Sequence, residues 1–85
     1  MKTIFKYPVP INDEFKLMLP IHHKILTFRC LRSQFYIWAL VESDSPAAEF
    51  TFGVYGTGHP IGWFKEYIGT APDTNENFVW HLFAL

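Results

Sequence analysis

Apolar and polar side chains alternate with a period of two along most of the chain, and no segment sustains a 3.6-residue period. Residues 3–7 predict a first short strand, stopped by Pro8-Val9-Pro10. In Phe15-Lys16-Leu17-Met18-Leu19 the apolar Phe15, Leu17 and Leu19 share one face, and Pro20 ends the run. Residues 25–32 and 35–42 flank Ser33-Gln34 and predict a hairpin. Its first arm puts Leu26, Phe28 and Cys30 on one face and Thr27 and Arg29 on the other. Its second arm is apolar on both faces, Phe35, Ile37, Ala39 and Val41 against Tyr36, Trp38 and Leu40. That pattern is expected of a strand central in a sheet, in a barrel or at an interface. Residues 42–46 are polar and turn-rich. Phe50, Phe52 and Val54 mark a half-buried strand, 67–70 a short one and 78–83 the last. Trp38 and Trp80 are expected in the core, with His81 alternating away from Trp80. The fold class that follows is all-β, a single domain over residues 1–85. It would be a small antiparallel barrel-like sheet or a compact sandwich of about seven short strands with little or no helix.

Composition sharpens this. Of 85 residues 49% are apolar and 19% aromatic, more aromatic surface than one small core readily takes up. The excess points to a homo-oligomer or a binding face. The seven Lys and Arg residues are scattered and the net charge is −1, so generic binding to a nucleic-acid backbone is not expected. One cysteine, Cys30, makes no internal disulfide and reads as a small apolar strand residue. Neither a leader nor an apolar run of membrane length stands out, so the expected location is the cytoplasm, away from membranes.

The chemistry-bearing residues are sparse. His22, His23, His59 and His81 show no ligand spacing, and no metal site is expected. Nucleophile elbows, phosphate-binding loops and dinucleotide fingerprints are all missing, so no catalytic residues and no cofactor are assigned. The most informative stretch is Tyr55-Gly56-Thr57-Gly58-His59-Pro60-Ile61 with Trp63 and Phe64 beyond it. Glycines let a backbone turn sharply and present N–H groups to an anion. Thr57 brings a hydroxyl, His59 a switchable donor or acceptor, and Tyr55, Trp63 and Phe64 stacking surfaces. Tyr55, Gly56, Thr57, Gly58, His59, Trp63 and Phe64 are therefore the candidate ligand- or partner-binding residues. The competing reading of the same stretch is a tight connection between two strands.

Several runs carry a family resemblance: Lys2-Thr3-Ile4-Phe5-Lys6-Tyr7, Met18-Leu19-Pro20, Trp38-Ala39-Leu40-Val41, 52–61, Tyr67-Ile68-Gly69-Thr70 and 78–83. Through them the chain resembles a family of short uncharacterised proteins of tailed bacteriophages and their prophages. The Tyr-Gly-Thr-Gly-His-Pro-Ile run is the distinctive part. Ile21-His22-His23-Lys24 and the link from Gly62 to Tyr67 depart from that pattern, the latter bearing on Trp63 and Phe64. The resemblance implies a phage accessory protein in the cytoplasm of a bacterial host. With catalytic machinery missing, the expected action is counter-defence by stoichiometric binding of a host immune protein or a nucleotide signal. The alternatives are a minor virion or regulatory accessory, and a small nucleotide hydrolase using His59 or His81 as base.

Overall fold

Seven strands and no helix run through the computed structural model, which describes all 85 residues. They are β1 (Lys2–Val9), β2 (Phe15–Pro20), β3 (His23–Leu31), β4 (Gln34–Glu42), β5 (Ala47–Gly56), β6 (Glu66–Pro72) and β7 (Val79–Ala84). β1, β4 and β3 form one sheet in that order, and β2, β5, β7 and β6 form the other. Every pairing is antiparallel. The two sheets pack face to face as a sandwich and do not close into a barrel. They come nearest at their β3 and β6 edges, where a Cβ on Gly69 would lie 3.4 Å from Phe28 Cβ. No helix is long and apolar enough to cross a membrane.

The core lies between the sheets. Val9, Phe28, Phe35 and Ile37 come from one side, and Phe15, Leu19, Phe52, Val54, Ala71 and Leu82 from the other. Phe15 stacks on Phe52 at 5.8 Å and Phe28 on Phe35 at 5.4 Å. No charged or polar side chain is buried, so apolar burial supplies the driving force.

Prolines mark the sheet edges. Pro8 does not stop β1, which runs on to Val9, because β1 is an edge strand and spares the missing N–H. Pro20 in β2 and Pro72 in β6 sit on edge strands as well.

Two expectations are corrected by the packing. The register slips between Ile25 and Thr27, so Leu26 is the extra residue of a bulge and turns to solvent. Ile25, Phe28 and Cys30 face inward instead. Trp38 is not a core residue. β4 is central, as its two apolar faces suggested, but Phe35, Ile37, Ala39 and Val41 take the buried side. Tyr36, Trp38 and Leu40 stay half-buried on the outer surface.

The hairpin turn is Arg32-Ser33, one residue before the expected Ser33-Gln34, because Leu31 pairs with Gln34; its φ angles are 51° and 70°. Two successive left-handed residues make a type I′ turn, which prefers Asn-Gly. Thr74, from the β6–β7 loop, holds this strained pair by accepting the Ser33 N–H at 2.7 Å. The double variant Arg32→Asn/Ser33→Gly relieves the side-chain clash of the left-handed region without removing that N–H. It should gain about 1 kcal/mol and raise Tm by roughly 5 °C in a thermal melt.

Candidate functional site

β5 and β6 are parallel to each other with β7 between them, so the chain must cross the sheet to join them. The crossing is made by residues 57–65, which run over the outer face of β7 as an irregular strap. Its start is a turn in which the His59 N–H donates to the Gly56 carbonyl at 3.1 Å. Gly58 sits at φ 88°, the third-position geometry of a type II turn and one that favours glycine. The Thr57 N–H donates to the Val79 carbonyl at 3.2 Å. Two amides of the glycine run are therefore spent, one inside the turn and one on β7, rather than offered to an anion. The far end of the strap is fixed by the Lys65 N–H on the Ala84 carbonyl at 2.8 Å.

Under the strap lies a small second core. Phe83 points away from the main core yet is only 7% exposed. Phe64 covers it at 4.7 Å between ring centroids, with Tyr67 at 5.6 Å and Tyr55 at 5.9 Å. Beside it, His81 is held at both ring nitrogens. Nε2 lies 2.8 Å from Thr57 Oγ1 and Nδ1 lies 2.9 Å from Thr70 Oγ1. Thr70 in turn bonds the Tyr67 hydroxyl at 2.5 Å. This polar chain contains no carboxylate that would polarise the imidazole.

The seven sequence-predicted residues do not converge on one point. Tyr55, Thr57 and Phe64 join the outer cluster around Phe83 and His81. Gly56 and His59 belong to the sandwich end instead, because a Cβ on Gly56 would meet His59 Cε1 at 3.0 Å and Trp80 Cζ3 at 3.3 Å. His59 and Trp80 meet edge-on at 6.4 Å, and Phe78 lies 6.3 Å from Trp80. With Thr57, Asn77 and Val79 they line a cleft of about 510 Å³ that no Lys or Arg borders. Trp63 stacks on no other ring and is 77% exposed. Sequence reasoning passed over Thr70, Tyr67, Phe78 and Trp80 as parts of the site. Only the Trp80/His81 alternation hinted that β7 serves two faces.

No group of His, Cys, Asp or Glu side chains is arranged to hold a metal ion. The groups with displaced acidity lie on or before β1, away from the strap. Burial pushes the Tyr7 phenol up. The hydrogen bonds that the Met1 amino group donates to Asp44 and then to Glu42 raise its pKa.

Fold and site together define a small two-sheet all-β domain with an aromatic strap laid over one face. The chain belongs to the family described as Domain of unknown function (DUF7352), whose model matches residues 1–85. No curated protein and no solved structure matches the chain.

Proposed function

We propose that the protein is a phage accessory that acts in the host cytoplasm by stoichiometric capture of a host defence protein, without chemical turnover. The observation that carries this reading is the strap. It is fixed at both ends and at Phe64, yet it holds Trp63 out into solvent, between the partly exposed Ile61 and Tyr67. A large aromatic side chain presented by an ordered backbone is what the centre of a protein interface needs, since little ordering entropy remains to be lost. The same exposed surface supports self-association, so a homo-oligomer belongs to this proposal.

A second reading is favoured by one observation, the cleft of Trp80, Phe78 and His59. Its walls suit a planar heterocycle, as in a nucleotide signal. The lack of a bordering cation leaves a phosphate unmatched, which ranks this reading second.

Both are tested with two variants. On cells carrying a defence system that the protein counters, wild type should restore plating of a defence-sensitive phage and Trp63→Ala should not. The folded stability of that variant should stay within about 0.5 kcal/mol of wild type, because the ring is exposed. Equal rescue by wild type and Trp63→Ala would sink the strap reading. A large upward thermal shift with a cyclic dinucleotide or mononucleotide, abolished in His59→Ala, would move the conclusion to the cleft.

A further inference from the structure

The cationic side chains are scattered in the sequence but not on the surface. Directly opposed residues of an antiparallel pair share a face, so the β1–β4–β3 register determines what lines the outer side of that sheet. Tyr36, Trp38 and Leu40 form its central row. On one flank Lys6 pairs with Trp38 and Lys2 with Glu42. On the other, Arg29 pairs with Tyr36 and Lys24 with Leu40. Four of the seven Lys and Arg residues thus stand on one face, and Arg32 lies in the turn at its end. All five are exposed, and none has a carboxylate within ion-pair distance. Glu42 is the one carboxylate on this face, and the Met1 amino group already bonds it.

The two cationic flanks are two strand spacings apart, about 10 Å, with the aromatic row between them. Tyr36 and Trp38 stand 5.9 Å apart, and Lys6 Nζ lies 4.6 Å above the Tyr36 ring. Beside Trp38 a hollow of about 330 Å³ is bordered by Thr27, Arg29 and Leu31. Half-buried rings between rows of unpaired cations make a stacking platform with phosphate partners on both sides. We propose that the outer face of the β1–β4–β3 sheet binds single-stranded nucleic acid, with bases on Trp38 and Tyr36 and phosphates on Lys6, Lys24 and Arg29. A duplex keeps its bases stacked inside and offers the rings nothing. A second copy docking on the same face would set these cations against their own kind. The strap lies on the opposite sheet, so this inference does not depend on the function proposed for it.

The test is fluorescence anisotropy with labelled RNA and DNA single strands of roughly ten nucleotides, and with the matching duplex. Binding should be micromolar at low salt and clearly weaker for the duplex. The slope of log K against log salt should be about −2, as for three phosphate contacts on a single strand. Trp38→Ala and Arg29→Glu should each weaken binding roughly tenfold or more. Lys16→Glu, the same charge reversal on the other sheet, should change it by less than about twofold. Arg29 is exposed on the surface, so its variant carries the test if Trp38→Ala fails to fold. Binding of either strand chemistry upholds the proposal, and the RNA-to-DNA ratio reports whether a ribose hydroxyl is read. Flat anisotropy with both strands, or equal losses in Arg29→Glu and Lys16→Glu, would overturn it. So would a dimer in solution that Trp38→Ala returns to monomer, which would assign the face to a second copy.

Discussion

Leu82→Ala is expected to lower stability by about 4 kcal/mol and Tm by at least 15 °C. Leu82 has no solvent exposure and sits midway along β7, paired to Val54 on one side and Gly69 on the other. Its truncation removes apolar contact from both neighbours at once and leaves a cavity between sheets that cannot easily collapse. Small domains hold about 5–15 kcal/mol in total, so the loss reaches a large fraction of the reserve. Urea unfolding of the variant should show a lower midpoint with an unchanged slope. A loss under about 1 kcal/mol would mean that the Leu82 side chain is not packed between the sheets.

Gly53→Ala should be nearly as damaging, by a different route. A Cβ at this position would lie 2.4 Å from the Asp13 carbonyl oxygen, and also 3.1 Å from Tyr55 and 3.2 Å from Leu85. The nearest atom belongs to a backbone that is itself tied down. The Asn12 carbonyl accepts the Val54 N–H at 2.9 Å, and the Asp13 carbonyl accepts the Tyr55 hydroxyl at 3.2 Å. Relief therefore requires the segment before β2 to lift off the sheet, at a cost of about 3 kcal/mol. Hydrogen exchange should show the Val54 amide losing protection along with the fall in Tm. An unchanged Tm together with a protected Val54 amide would show that the segment does not cross Gly53. Gly58→Ala is the useful contrast, because space there is open and only the left-handed backbone resists the side chain.

Strand content was legible because burial on one side writes itself into a strand as alternation. Phe15, Leu17 and Leu19, and again Phe50, Phe52 and Val54, face the core as their spacing requires. The double apolar pattern of β4 marked it as central, and it is. Leu26 was misplaced because one inserted residue inverts the alternation, and nothing local marks where a bulge falls. The same slip recurs between Tyr67 and Gly69 in β6.

The candidate site was legible in kind but not in arrangement. Its glycines do mark an unusual backbone, and Tyr55, Thr57 and Phe64 do meet. What they meet is Phe83 and His81, on a strand whose position over the strap's path depends on the order β5-β7-β6. Trp63 and His59 go elsewhere because Phe64 is the strap ring that turns onto Phe83, while the first turn tips His59 toward Trp80.

By itself, then, the sequence determined the class of element and the buried side of β2 and β5, where alternation is clean, since both arise from neighbours within a few residues. Tertiary structure alone decided which strands adjoin, where the alternation breaks and which distant side chains share a surface. The pair Lys2 and Lys6 lies far along the chain from Lys24 and Arg29, and only the β1–β4–β3 pairing sets the two pairs around Tyr36 and Trp38. Long-range pairing is chosen by the fit of the whole core, and no single segment contains that information.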